Sequence, residues 1–464
     1  MQKVWNTLVP AAMACLLAAV TAPLHGQTVS SSNFQGSVVQ QKSSGQVLPL
    51  GLDDAVQRGL QYNLGLILQN ENAQSAGGQR LQSLQSLIPS VTGNITDAVA
   101  QTNLQAEGLR GAGFPAIIGP YGYTDFRVTL NQALLNVSSF QNYLASKHDF
   151  QASKLSVNDA REMVVVAVGN AYLLCLADAS RVTSAQAQEA TSKVSLNQAI
   201  DNHEAGVSPR LDELRARVDY QTQQQSLIAA QDQYEKDKIA LARAIGLPLD
   251  QQFTLTDNAP YATLDNVNVQ QAMQQAIKNR SDLKALHEQV IAAEKSKSAA
   301  RAERLPQLNF EIDYGAIGVN PSSSYGTLNL SGQLNAPLLE EGKLRGDARV
   351  TDASMLQTKA EENNLEGQVR AEVQDSILDI QAAAKLVKVS QSNVELANEA
   401  LSEAQERFKA GVSDNLAVSQ AQSTVAQAND QYVSSLYQYN LAKLSLARAI
   451  GLAQTKYKTY LGGK

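Results

Sequence analysis

The sequence predicts a mainly α-helical protein with a small β part, in which long antiparallel coiled-coil hairpins accompany four short strands. Three observations predict this fold class. The seven residues Leu-Ala-Arg-Ala-Ile-Gly-Leu occur twice, at residues 241–247 and 446–452. Proline-free segments far longer than an ordinary globular helix occur in both halves of the chain. Short segments of alternating apolar and polar residues, typical of strands, lie between the helical ones.

The two halves of the chain are copies of one unit. At the same offset of 205 residues, Ala-Gly-Val-Ser occurs at residues 205–208 and again at residues 410–413. Each half has the predicted order helix, strand, loop, strand, long helix, turn and long helix. The predicted segments are a signal peptide at 1–26, a flexible N-terminal segment at 27–49, a first repeat at 50–250, a linker at 251–264, a second repeat at 265–455 and a C-terminal tail at 456–464.

The first residues have the pattern of a secretory signal peptide. Lys3 gives a positive start, residues 9–20 form an apolar run, and Gly26 offers a small residue at the cleavage point. A transmembrane anchor is the alternative, but this run is shorter than the ~20 residues that a spanning helix needs. Cys15 would leave with the signal, and a lipoprotein site there is a weaker alternative. We expect the remaining cysteine, Cys175, to be a small packed side chain on a helix.

Two segments are long enough to be arms of coiled coils. Residues 137–204 contain no proline and only one glycine, and as a continuous helix they would reach ~100 Å. Residues 338–409 are comparable. Shorter helical patterns at 52–88 and 269–305 each end before a proline.

Heptad spacing predicts a helical hairpin in the second half. Apolar side chains recur seven residues apart on both arms, at Val387, Val394, Leu401 and Phe408 and then at Val418, Val425, Tyr432 and Tyr439. Small residues three positions further on allow the two backbones to approach closely. The matching positions of the first half are less regular, because Glu189 and His203 stand among them.

Four segments alternate between apolar and polar residues, at about 91–103, 121–132, 307–317 and 326–335. Each has roughly the 9–11 residues that a tilted strand needs to cross a bilayer. One face would then meet lipid and the other water. The residues predicted to face lipid share one parity along the chain, and they are Phe126, Val128, Leu130, Leu308, Phe310, Ile312 and Tyr314. The alternative, an ordinary sheet with one face buried on helices, fits the periodicity equally well.

The number of strands favours an oligomer if the protein spans a membrane. Four strands are too few to enclose a water-filled barrel, and an open sheet edge cannot face lipid. Subunits would therefore have to combine their strands. The connecting loops at 104–120 and 318–325 are rich in Gly, Pro and Ser, which fits exposed loops outside the cell.

Charge and motifs argue against nucleic-acid binding and catalysis. The net charge of −6 becomes −7 when Lys3 leaves with the signal. His148, His203 and His287 have no second His or Cys at metal-ligand spacing. The sequence has no Walker motif, no dinucleotide fingerprint and no nucleophile elbow. We predict that the protein is not an enzyme and takes no cofactor or metal.

Together, the signal, the duplicated halves, the four strands and the two long hairpins resemble the outer membrane efflux protein family, the TolC-like outer membrane factors. The resemblance covers roughly residues 50–452, and its most specific elements are the Ala-Gly-Val-Ser turns and the Ala-Ile-Gly-Leu helix ends. It implies a homotrimer with a 12-stranded β-barrel in the outer membrane and an α-helical barrel in the periplasm. It also implies a passive channel that exports small molecules or proteins, delivered by an inner-membrane pump (proton-driven or ABC type) through a periplasmic adaptor protein.

The resemblance assigns the two hairpin turns to the periplasmic tips, where they would close the tunnel at rest and meet the adaptor. The corresponding residues are Gly206, Val207, Ser208, Pro209, Arg210 and Asp212 in the first half and Gly411, Val412, Ser413, Asp414 and Asn415 in the second. We expect Ser208 and Ser413 to cap the following helices, and Pro209 to lie in a first helical turn.

Charge at the tips departs in part from the family pattern. Asp212 stands where the family often has an acid, although an acid in the first turn of a helix is also favoured by the helix dipole. In TolC, aspartates stand six and nine residues after the second turn glycine, whereas here these positions hold Ala417 and Gln420. An identical aspartate ring is therefore not implied.

Two other hypotheses about the class of protein are compatible with parts of the sequence. A periplasmic adaptor also combines coiled-coil hairpins with strands, but it has one hairpin rather than a duplicated unit. A secreted structural coiled-coil protein would leave the alternating strands and their glycine-rich loops unexplained.

Overall fold

The computed structural model of the chain describes residues 34–39, 42–43, 45–106, 108, 113, 115–257, 264, 268–410, 412–413 and 415–461. The predicted signal peptide with Cys15, and the tip residues Gly411 and Asp414, lie outside these residues.

In the described part of the chain, nine α-helices occur in two similar series. The first series is α1 (Leu52–Tyr62), α2 (Leu64–Gln85), α3 (Val137–Glu204) and α4 (Arg210–Ile245). The second is α5 (Val269–Asn279), α6 (Ser281–Ala302), α7 (Glu341–Lys409) and α8 (Asn415–Ala449), and the short helix α9 (Ala453–Tyr460) follows it.

Four long strands form one antiparallel sheet. They are β2 (Ser90–Asn103), β3 (Ile117–Leu135), β5 (Gln307–Gly318) and β6 (Tyr325–Asn335), in the order β2-β3-β5-β6. A separate parallel pair joins β1 (Leu48–Leu50) to β4 (Phe253–Leu255). The prediction of a mainly helical chain with four antiparallel strands is confirmed. The predicted linker at 251–264 contains β4, and the predicted tail at 456–464 begins inside α9.

The two shorter helical segments are each broken once, where the sequence predicted continuous helix. Asn63 separates α1 from α2 with an extended backbone, and its side chain accepts a hydrogen bond from the Gly65 N–H. Arg280 separates α5 from α6 in the same way, with ψ of 122°. Both residues are buried, at 0% and 2% exposure. The second long helix begins at Glu341, whereas the sequence predicted that it would begin at Leu338.

The repeated seven-residue stretch ends each repeat with a tightly packed glycine. Gly246 and Gly451 follow the ends of α4 and α8 with φ of +73° and +71°, a conformation that suits glycine at a helix C-terminus. A Cβ on Gly246 would lie 2.6 Å from Tyr62, and one on Gly451 would lie 2.9 Å from the backbone nitrogen of Arg280. The stretch recurs because each repeat packs its last helix end against its own broken helix pair.

The predicted heptad positions of the second hairpin form its core. Val387, Phe408, Val418 and Tyr439 are buried between α7 and α8, with Val394 and Leu401 partly buried beside them. Among the matching heptad positions of the first hairpin, the small residues are buried, including Ala185 and Ala199. Helix α3 contains an apolar stretch long enough to cross a membrane, but 56% of that stretch is buried inside the protein. Its hydrophobicity is accounted for by core packing.

The elements follow one lateral order at every level of the molecule. The strands of the sheet lie in the order β2-β3-β5-β6. In the helical part, the contacts between helices place neighbours in the order α2-α3-α6-α7 at one level and, between the two hairpins, in the order α4-α3-α8-α7 at the other. One side of the chain therefore ends in β2, α2 and α4, and the other side ends in β6 and α7. Because all levels share the same two borders, the chain has the form of a wall segment with two open sides.

Candidate channel wall and periplasmic tips

The four-stranded sheet has one apolar face. Val128 lies across from Tyr314, which in turn lies across from Leu328, and Leu130 begins a parallel row one step along. The structure brings all seven residues of the predicted lipid-facing set onto this one face. The same face carries further apolar side chains on the two border strands, at Val91, Ile95, Val99, Leu330 and Leu334. Many of them are exposed, with Ile95 at 73% and Leu328 at 69%.

The opposite face of the sheet is polar and holds an ion-pair network. Arg127 on β3 pairs with Asp313 on β5 and, through Nε at 3.3 Å, with Asp125 on its own strand. Asn329 on β6 donates a hydrogen bond to the second oxygen of Asp313 at 2.9 Å. The network thus joins three strands across the polar face. Sequence reasoning missed it, although the alternation of charged residues marked the face, because the pairing depends on strand register.

The two hairpin tips share one backbone geometry. Gly206 has φ of +71°, and the Val207 N–H bonds to the Asn202 carbonyl at 2.9 Å. At the second tip the Val412 N–H bonds to the Arg407 carbonyl at 3.0 Å, which is the same bond 205 residues later. These bonds satisfy carbonyls at a helix end and reverse the chain within a few residues. The valines of both tips are exposed, at 73% and 71%.

Two predictions for the first tip are wrong. The Ser208 hydroxyl is buried without a hydrogen-bond partner and does not cap the next helix. Pro209 occupies the N-cap position itself, so the helix begins one residue later, at Arg210. Pro209 has an extended backbone, with ψ of 149°, because the chain must leave the glycine turn before the helix can start.

The charges at the first tip are paired along the helix. Asp212 is 8% exposed and lies 3.9 Å from Arg215, and Glu213 pairs with Arg217 at 2.8 Å. Both acids lie in the first turn of α4, where the helix dipole favours them. At the second tip, Asn415 starts α8 and is 2% exposed.

A buried ion-pair network at the helix break of the second repeat has no counterpart in the sequence predictions. Arg280 pairs with Asp282 at 2.6 Å and with Glu372 on α7. Arg448 on α8 pairs with Asp159 on α3 at 2.6 Å. Burial alone would raise the pKa of Asp282, but the hydrogen bonds and charge of Arg280 hold it below its ordinary value. Burial raises the pKa of Asp159. The network ties four helices together beside the break.

The histidines and the cysteine have structural contacts. His148 pairs with Glu288 at 2.6 Å, which links α3 to α6, and His287 pairs with Glu362 at 2.7 Å, which links α6 to α7. Cys175 is fully buried as predicted, and this burial raises the pKa of its thiol to about 12. Among the described residues, no group of three His, Cys, Asp or Glu side chains is placed to hold a metal ion.

A sheet with one apolar and one polar face, continued by long hairpins that end in narrow tips, defines an outer-membrane channel protein with a helical periplasmic part. A family model described as outer membrane efflux protein matches residues 86–247 and 272–452, which together are more than half of the chain. The chain belongs to the outer membrane efflux protein family, as the sequence predicted.

Similar proteins agree with this assignment. The chain is 24% identical over 319 residues to the pyoverdine export outer membrane protein OpmQ of Pseudomonas putida, over 68% of this chain and 66% of that protein. The chain is also 24% identical to the toluene efflux pump outer membrane protein TtgF of Pseudomonas putida, over 68% of this chain and 65% of that protein. The match therefore spans slightly less than two thirds of the length of these relatives.

Solved structures share the fold at low identity. The CmeC outer membrane channel of Campylobacter jejuni has a TM-score of 0.76 at 16% identity, covering 91% of this chain and 92% of that chain. The outer membrane protein VceC of Vibrio cholerae has a TM-score of 0.75 at 18% identity, covering 86% and 96%. The predictions of an outer-membrane location with a periplasmic helical part, and of a protein that is not an enzyme, are confirmed by the family.

Proposed function

We propose that the chain is one of three identical subunits of a passive outer-membrane duct. The two open sides of the wall segment carry this proposal. Strands β2 and β6 each end the sheet with one unpaired border among the described strands, and lipid offers no hydrogen bonds to such a border. A second copy that pairs its β2 with β6 would satisfy both borders, and a ring of copies would leave none open.

The helical borders support the same assembly. The outer side of α4 exposes Leu211, Val218 and Ile239, which are spaced by multiples of seven residues and are 52–60% exposed. The outer side of α7 exposes Val389 and Leu396, which are also seven apart and are 58% and 61% exposed. Two unpartnered apolar stripes at coiled-coil spacing, on opposite sides of one chain, fit each other in neighbouring copies.

The number of subunits follows from the number of strands. Two copies would supply eight strands, and a barrel of about eight strands has an interior filled by its own side chains. Three copies supply twelve strands and leave room for a water-filled pore. The polar face with Arg127 and Asp313 would line that pore, and the apolar face with the predicted lipid-facing residues would meet the bilayer.

Substitutions on the helical borders test this assembly. Val218→Asp on α4 and Val389→Asp on α7 should each reduce the trimer, because they bury a carboxylate between subunits. The matched control is Thr424→Asp. Thr424 is exposed on α8, which has helix neighbours of its own chain on both sides, so this substitution should leave the trimer intact. The measurement is light scattering of the protein in mild detergent, followed by conductance in planar bilayers. A wild-type protein that is monomeric and non-conducting would overturn the proposal.

The partners and cargo follow from the family and from the tips. We propose that the two tips contact a periplasmic adaptor protein, and that an inner-membrane pump supplies both cargo and energy. The relatives named for pyoverdine export and toluene efflux support small organic molecules as cargo. A photo-crosslinker at Val207 or Val412 should capture a co-expressed adaptor, whereas one at Leu68, exposed on α2, should not. Equal capture at all three positions would contradict the tip assignment.

A further inference from the structure

Asp178 is a buried acid at the place where α3, α4 and α8 meet. Its side chain is 2% exposed, and Oδ1 accepts a hydrogen bond from Arg181 at 2.7 Å. Its second oxygen, Oδ2, is buried and receives no hydrogen bond from a donor. The carboxylate of Asp237 on α4 lies within hydrogen-bonding reach. Two adjacent carboxylates with an unsatisfied buried oxygen form an arrangement that holds a proton.

Arg181 connects this acid pair to the second hairpin. Its Nε donates to Asp430 at 2.9 Å, and its Nη2 donates to the Ser434 hydroxyl at 2.8 Å, both on α8. The guanidinium therefore holds Asp178 in the first hairpin and Asp430 in the second at the same time. At neutral pH, the positive charge of Arg181 faces three carboxylates, of which Asp178 is buried and Asp430 is exposed.

Other ionisable groups around the pair come from all three helices. They are Cys175 on α3, Tyr234, Glu235 and Lys238 on α4, and Tyr437 on α8. Lys238 forms an ion pair with Glu235 at 3.1 Å. The cation that forms an ion pair with Asp178 is Arg181.

We propose that Asp178 and Asp237 form a proton-binding pair that strengthens the packing of the second hairpin against the first as the pH falls. The inference rests on the proposed function, in which the hairpins form the wall of the periplasmic tunnel. With one proton, Asp178 donates a hydrogen bond to Asp237 through the oxygen that otherwise has no partner. The repulsion among the three carboxylates also falls, while Arg181 keeps its bonds to α8.

The sign of the effect follows from the packed state. Burial, and then the neighbouring Asp237, raise the pKa of Asp178 to about 6 against the opposing effect of Arg181. When the hairpins separate, Asp178 regains water while Asp237 stays beside it on the first hairpin, so its pKa falls toward the ordinary aspartate value of about 3.9. The packed state therefore binds more protons between these two values, and acid favours it. Between pH 7 and pH 5 the ratio of packed to separated hairpins should rise by up to about ninefold in each subunit.

The test is the fraction of open channels of the full-length protein in planar bilayers at pH 7 and pH 5. Wild type should open up to about ninefold less often at pH 5 if separation of the hairpins in one subunit is enough to open the tunnel. Asp178→Asn imitates the protonated acid, because its amide can donate to Asp237 while its oxygen accepts from Arg181. It should open rarely at both pH values. Asp430→Ala, which removes the acceptor of the Arg181 Nε on α8, should open more often at both.

Controls separate this inference from the duct itself. Asp232→Asn, an exposed acid of α4 that pairs with Lys236, should keep the wild-type pH response. If Asp178→Asn does not fold into a trimer, Asp237→Asn serves instead, because its amide can donate to the charged Asp178 and should weaken the pH response. A conducting wild type with the same pH response as both variants would overturn the proton pair and leave the duct intact. Absence of any conductance would instead overturn the duct.

Discussion

The repeated glycine at the end of each repeat gives a prediction that the structure makes quantitative. Gly206, Gly246 and Gly451 share nearly the same positive φ, between +71° and +73°, but differ in their surroundings. A Cβ on Gly206 would meet no atom within 4 Å. A Cβ on Gly451 would lie 2.9–3.1 Å from the backbone of Asn279 and Arg280. The three glycines thus separate the cost of backbone conformation from the cost of crowding.

Substitution of each glycine by alanine should therefore give unequal losses. Gly206→Ala should cost about 1–2 kcal/mol, the cost of the left-handed conformation for a residue with a Cβ. Gly451→Ala should cost a further ~1–3 kcal/mol, because the backbone at the α5–α6 break must shift to admit the methyl group. Gly246→Ala should lie between them or equal Gly451→Ala, since its obstacle is the Tyr62 side chain at 2.6 Å.

The assay is chemical unfolding of the purified protein in mild detergent, followed by far-UV circular dichroism. The slope of the transition should stay unchanged, so that midpoints can be compared directly. Equal losses for Gly206→Ala and Gly451→Ala would refute the reasoning, because the substitutions would then differ in surroundings without differing in effect. A larger loss for Gly206→Ala would refute it more strongly.

Three further predictions concern the core, the sheet and the cysteine. Arg280→Ala should lower the free energy of unfolding by about 3 kcal/mol, since the half-buried Asp282 loses the guanidinium that pairs with it. Arg304→Ala on the exposed Arg304–Glu341 pair should change it by less than about 1 kcal/mol, and similar losses for both variants would show that the network at Arg280 matters little. Phe126→Lys on the apolar face should cost roughly 2–4 kcal/mol and reduce insertion into liposomes, and Asn131→Lys, opposite Glu311 on the polar face, should insert normally; the reverse result would exchange the two faces. Cys175 should not react with a maleimide in the native protein at pH 7.5 but should react after unfolding, because burial raises its pKa to about 12, and rapid labelling of the native protein would contradict that burial.

Local patterns were sufficient to predict the long elements. Residues 137–204 lack proline, and the helix that forms there has those same ends. Parity along the strands was sufficient to group Phe126 with Val128, and Phe310 with Ile312, because side chains alternate between faces in any strand. These predictions needed no knowledge of which strands pair.

The helix breaks could not be predicted, because their causes lie far away in the sequence. Neither Asn63 nor Arg280 is a helix breaker by itself. Asn63 is held by contacts that include a hydrogen bond from its amide to the Phe34 carbonyl at 2.6 Å, and Gly246 packs against the residue before it. The ion pair of Arg127 with Asp313 joins residues 186 positions apart. Such contacts depend on the tertiary arrangement and leave no local signal.

The lateral order of the elements has a consequence for how a complete ring is built. Strands β3 and β5 join the two repeats inside one chain by the same antiparallel pairing that β6 and a neighbouring β2 would use between chains. In the proposed trimer, covalent fusion of two such units would reduce the bodies that must meet from six to three, so fewer translational and rotational degrees of freedom would be lost on closure. Fusion also lets equivalent positions of the two repeats diverge, as Asn63 and Arg280 have done. The contacts within a chain and the contacts between chains can then differ, while the number of strands in the proposed ring stays the same.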